Sequence, residues 1–133
     1  MKREIKFRGK HIDSGEWLIG DLVQDHFGDG SINTCHIYPK DAWNGPDCYE
    51  VDSATVGQYT GLKDKDGKEI YEGDIVKALR VGGRIGYLEF YNGSWFITDG
   101  AWHEQSLCSA LQGKLEVVGN IHDTPELLKG GAR

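Results

Sequence analysis

In the stretch TGLKDKDGKEIYEGDIV, residues 60–76, Asp64 and Asp66 stand two apart in front of Gly67. That is the spacing with which carboxylates ring a hard cation in a calcium loop. With Gly67 at the sixth position, the first falls on Leu62 and the twelfth on Gly73, where oxygen ligands are required. Neither can ligate, so the stretch is read as a turn. Zinc asks for tetrahedral Cys and His donors, and His26, Cys35, His36 and Cys48 supply the types without the spacing of a knuckle or ribbon. Cys35 and His36 are adjacent on an expected strand and point to opposite faces. His103 and Cys108 lack the local signature of a nucleophile and its base. The glycines of VGGRIG come without the lysine and hydroxyl of a phosphate loop. Glu69, Glu72 and Asp74 are close enough for acid/base work, but on alternating strands they read as solvent-facing charges. No catalytic residue, cofactor or metal ligand is assigned, and the chain is read as non-enzymatic.

Binding is the chemistry that remains. Trp43 lies in an irregular stretch bounded by Pro39 and Pro46, and Trp102 in a segment without clear period. A tryptophan outside core periodicity is a common interface anchor. Tyr87, Tyr91 and Phe96 fall opposite an expected core stripe, where strand aromatics can stack bases if a basic groove accompanies them. Lys77, Arg80 and Arg84 form only a modest cluster, and the net charge of −6 argues against nucleic acid. Residues 1–10 carry five basic groups against Glu4, whereas residues 11–60 carry nine acidic groups against Lys40. Ordinary solvated strand faces account for both. Trp17 and Trp95 are expected in the core.

These side chains need strands to hold them. Lys65-Asp66-Gly67 as a three-residue loop pairs Asp64 with Lys68, Lys63 with Glu69 and Leu62 with Ile70, with Gly67 at positive φ. A two-residue turn would instead oppose like charges. Asn92-Gly93 predicts a type I′ turn that sets Phe90 against Trp95 and Leu88 against Ile97, an apolar stripe along one side. A turn centred on Ser14-Gly15 predicts Phe7 opposite Leu22 and Arg8 opposite Asp21, and GDGS at 28–31 returns the chain into INTCHIY. GDIVKALRV, RIGYLEFY, SWFITDG and LEVVGNI read as strands, and Asp123 with Pro125 opens a short helix over TPELLK. Lys6, Arg8 and Lys10 alternate along the first strand, as on a guarded sheet edge.

The chain has 133 residues, enough for one domain or two very small ones, with four tryptophans, six tyrosines and four phenylalanines for a core. Three cysteines without a CxxC, and an N-terminus MKREIKFRGK with no apolar signal core, predict free thiols and a cytoplasmic protein. No apolar run reaches membrane-spanning length, so no membrane partner is expected.

Three blocks in order, REIKFRG, ATVGQYTGLKDKDGKEIYEGDIV and VVGNIHDTPELL, resemble the YopX family of phage and prophage proteins, and together they span nearly the whole chain. The resemblance implies a mainly β protein with an SH3-like barrel in its C-terminal part, located in a bacterial host. It implies no chemistry, for the family brings no catalytic residues. The expected organisation is an N-terminal β-hairpin region with a variable loop over 1–56 and a small SH3-like β-barrel over 57–133, ending in a short helix. The expected role is that of an accessory protein that binds another protein or assembles with its own copies as an oligomer. The alternatives are a weak single-stranded nucleic-acid binder and an acidic DNA mimic acting on a host enzyme.

Overall fold

The computed structural model describes residues 3–39, 48–79, 84–99, 103–106 and 114–131, without the side chains of 103–106 and 129–131. Trp43, Arg80, Trp102 and Cys108 lie outside the described residues. The chain divides into two compact units, Met1–Tyr59 and Thr60–Arg133. Among the described residues, no helix is long and apolar enough to cross a membrane.

The first unit is an antiparallel sheet. Strands β1 (Phe7–Lys10), β2 (Trp17–His26), β3 (Ile32–Pro39), β4 (Tyr49–Val51) and the start of β5 (Gly57–Lys63) lie in the order β4-β3-β2-β1-β5. The end of the first strand also reaches β4: Asp52 N–H donates to the Lys10 carbonyl at 2.8 Å and Ile12 N–H to the Glu50 carbonyl at 3.2 Å. The core is small. Cys35, Ile37 and Val51 are buried, with Phe7, Leu18, Leu22 and Val56 packed around them.

Two expectations fail here. The first hairpin pairs Phe7 with Gly20 and Arg8 with Ile19, two residues from the predicted register. The reason is a longer loop, closed where His11 N–H donates to the Glu16 carbonyl. Inside it, Ser14 N–H donates to His11 Nδ1 and Gly15 takes φ +74°. A shift of two keeps every side chain on its predicted face, which is why the alternation alone did not reveal it. The second failure concerns the guarded edge. β1 is an inner strand, between β2 and β5.

The remainder of β5 belongs to the second unit, where β6 (Glu69–Tyr71) follows beside it. Strands β7 (Asp74–Ala78), β8 (Arg84–Tyr91), β9 (Ser94–Thr98), β10 (His103–Ser106) and β11 (Leu115–Asn120) form a second antiparallel sheet in the order β10-β9-β8-β7-β11. The core gathers Ile70, Val76, Leu88, Ile97 and Leu115, with Ala78 and Val117 against them. Instead of the predicted SH3-like barrel, the protein has two antiparallel sheets, and no closed barrel forms among the described residues. The second sheet ends in β10 and β11, whereas closure requires the two end strands to pair with each other. The short helix is present as α1 (Glu126–Gly131). The Asp123 carboxylate accepts from Asn120 Nδ2 at 3.1 Å, and it is the Thr124 carbonyl that receives the Leu127 N–H.

Candidate functional site

The Asn92-Gly93 turn forms as its chemistry requires, with φ of 50° and 78° at the two residues. Pairing follows the predicted register, Leu88 with Ile97 and Phe90 with Trp95. Leu88 and Ile97 are buried, but the stripe leaves the core one pair later. Phe90 is 52 % exposed, and its ring meets half-buried Trp95 edge to face at 5.0 Å. On the other face Tyr91 and Phe96 form a second edge-to-face pair at 6.1 Å. Each such pair contributes roughly 0.5–1.5 kcal/mol beyond the area it buries. The hairpin tip is therefore stiffened by its own aromatics and still shows two of them to solvent.

Tyr87 sits on the Phe96 face, nearer the root, paired with Thr98. Burial raises its phenol above the ordinary range, and the carboxylates of Glu89 and Asp99 raise it further. These two carboxylates beside the phenol disfavour phosphate there. Thus the structure brings Tyr87, Tyr91 and Phe96 together on one face.

The Asp64 loop is an internal clasp. Asp64 N–H donates to the Lys68 carbonyl at 2.8 Å, Gly67 N–H to the Asp64 carbonyl at 3.1 Å, and Gly67 takes φ +82°, so the three-residue loop is real. Its carboxylate was read only as the cross-strand partner of Lys68. It is instead 5 % exposed, with Oδ1 accepting from Asp66 and Lys68 N–H at 2.9 Å each, and Oδ2 from Val117 N–H at 3.0 Å. Burial pushes this carboxyl up, but the three backbone donors outweigh it and hold it below the ordinary range. An acid so occupied ties the loop to β11. Asp74, expected to face solvent, is buried as well and accepts the Tyr71 N–H at 2.7 Å, while Glu69 accepts from the Tyr71 hydroxyl at 3.2 Å. Aspartates two or three residues from the amides they accept were visible in the sequence as turn formers. Their burial was not.

In the first unit, Trp17 leaves the core for the outer face of the sheet. The Arg8 guanidinium lies 4.6 Å and the Lys10 ammonium 5.4 Å from its ring centre, and Lys6 stands 5.0 Å over Tyr59. Lys6, Arg8 and Lys10 are thereby drawn on to aromatic faces, which keep the cations attracted and the rings shielded. Cys35 is buried, and a shallow hollow of about 310 Å³ beside it is lined by Ile12, Asn33, Glu50 and Asp52 among others. Among the described residues, no group of three or more His, Cys, Asp or Glu converges as metal ligands would.

A family profile described as "YopX protein" matches residues 6–129. Protein EF1440 from Enterococcus faecalis, known from a crystal structure, is 25% identical, with a TM-score of 0.60 over 96% of this chain and 99% of its own. No protein of curated function matches the sequence.

Proposed function

The chain belongs to the YopX family, and on that premise we propose that it is a non-enzymatic phage or prophage accessory protein that binds another protein in the bacterial cytoplasm. The observation that carries this reading is the tip of the β8–β9 hairpin, where Phe90 and Tyr91 are exposed on a ribbon already rigid through its edge-to-face pairs. Exposed aromatics held in place lose little conformational freedom when a partner covers them, which is the usual character of an interface anchor. The negative field of Glu89 and Asp99 beside Tyr87 favours a partner with basic groups around an apolar socket.

Arg8 and Lys10 over Trp17 support the second reading, a weak single-stranded nucleic-acid binder, since cations interleaved with an aromatic ring can hold a strand. One experiment separates the two. Tagged protein and a Phe90→Ser/Tyr91→Ser variant are used to capture proteins from host extract, and both are titrated with labelled oligonucleotide at low and moderate salt. The protein-binding reading expects a discrete captured protein that the variant loses, and no salt-sensitive oligonucleotide shift. Capture that is identical for both forms overturns it, and an oligonucleotide shift abolished by salt establishes the second reading.

A further inference from the structure

We infer that the β2–β3 hairpin is a docking arm for a second copy of this chain, and that its receptor is the outer face of β1 and β2 around Arg8, Lys10 and Trp17. Every residue from Val23 to Asn33 is exposed, so the ends of β2 and β3 project as a two-stranded ribbon with solvent on both sides. Such a ribbon alone is marginal in water. Its turn is nevertheless well built. Phe27 N–H donates to the Ser31 carbonyl at 2.8 Å, Gly30 N–H to the Phe27 carbonyl at 2.9 Å, Gly30 takes φ +91°, and the Asp29 carboxylate accepts both the amide and the hydroxyl of Ser31.

Large apolar groups stand on this arm without a core behind them. Phe27 is 55 %, Val23 47 % and Ile32 48 % exposed. Their neighbours set the chemistry of whatever covers them. No lysine or arginine occurs between residues 11 and 39, and Asp21, Asp25 and Asp29 are exposed along the arm and its root. An acidic ribbon tipped with phenylalanine fits a basic surface that also offers aromatic area.

The chain carries such a surface itself. Arg8 and Lys10, half-exposed, lie over the Trp17 ring, and Ile19, paired with Arg8, extends the patch with exposed apolar area. Asp25 and Asp29 of one copy then meet Lys10 and Arg8 of the other, and Phe27 packs beside Trp17 and Ile19. Since each copy has both an arm and a receptor, the contact repeats in both directions and closes a reciprocal pair. An inner β1 strengthens this reading, because the basic residues present a sheet face and not a ladder.

Sedimentation equilibrium of the full chain tests it, from about 1 to 200 µM and at about 50 and 500 mM salt, where screening lengths differ several-fold. The expected result is a mass rising from 14.8 kDa towards twice that value with concentration, and less readily at high salt. Phe27→Ser and Asp25→Lys are each expected to weaken association about tenfold or more. Lys10→Glu weakens it too, and Asp25→Lys combined with Lys10→Glu restores it. Far-UV dichroism and melting confirm that each variant is folded. A 14.8 kDa monomer at every concentration, or an oligomer indifferent to Phe27→Ser, overturns the inference.

Discussion

The hairpins of the second unit are held from inside, whereas the arm of the first is not. β8–β9 has its root in the core through Leu88 and Ile97 and is braced at the tip by two aromatic pairs. The loop of Lys65-Asp66-Gly67 is held by a buried carboxylate that also reaches β11. The arm uses the same three-residue loop, Gly28-Asp29-Gly30 closed between Phe27 and Ser31, but the carboxylate that organises it is exposed and, among the described residues, bonds only within its own turn. Equal turn chemistry therefore gives unequal anchoring. Local geometry comes from the turn residues, while resistance to fraying comes from what lies behind them.

Breaking an anchor exposes the difference most directly. Leu88→Ala is expected to cost about 3 kcal/mol through the cavity it leaves in the second core, against about 0.5 kcal/mol or less for Val23→Ala on the arm. Denaturant midpoints measured for both decide it, and equal losses would erase the contrast. Asp64→Ala comes next, at about 2–3 kcal/mol, because the Asp66, Lys68 and Val117 amides lose their acceptor.

Asp64 also gives the comparison a pH axis. Its folded pKa is depressed, so its contribution is complete above the ordinary carboxylate value and is lost as pH falls through the folded value. The stability gap between wild type and Asp64→Asn should be widest at neutral pH and close on acidification below about pH 4. A gap that widens on acidification would contradict the clasp.

A smaller effect is expected at the glycines. Gly67→Val forces a β-branched residue to φ +82° and should cost about 1–2 kcal/mol, with Asp66→Asn nearly neutral. Gly30→Val imposes comparable strain at φ +91°, yet should lower the global midpoint less, since the arm can open locally. Hydrogen exchange of the Ser31 and Lys68 amides separates local from global opening. The smallest effect is expected from calcium, which should leave the melting temperature unchanged at matched ionic strength. A rise would show that Asp64 and Asp66 admit an ion.

Legibility followed the range of the interaction. Asn92-Gly93 and Lys65-Asp66-Gly67 could be read because a positive φ and a charge register are properties of a few adjacent residues. The His11–Glu16 loop was misjudged because a histidine side chain receiving the Ser14 N–H is a local bond without a strong sequence signature. Asp74 was placed at the surface and the burial of Asp64 was not read, because burial of a carboxylate depends on amides elsewhere, one of those that Asp64 accepts being 53 residues away. Trp17 was assigned to the core by hydrophobicity alone, and only the strand pairing of Lys10 with Trp17 shows that cations cover its ring. Alternation placed Tyr87, Tyr91 and Phe96 on one face, but not the exposure of Phe90, because alternation says which face a residue is on and not where the core ends.

β5 passes from one unit into the other without a linker, and this has a bearing on synthesis. β1 is made before β5. On its side away from β2 the Lys10 end is satisfied by Asp52 and Thr55, whereas the Lys6 and Arg8 end is satisfied only when Gly57, Gln58 and Tyr59 arrive, with Tyr59 N–H donating to the Lys6 carbonyl. While those residues are still inside the ribosome, β1–β4 can assemble with the backbone groups of Lys6 and Arg8 bare on that side. Such bare groups invite pairing with another nascent chain. A fragment ending at residue 56 would keep that hazard permanently, and one extended through Tyr59 would not. The last few residues before the second unit thus act as a stopper for the first.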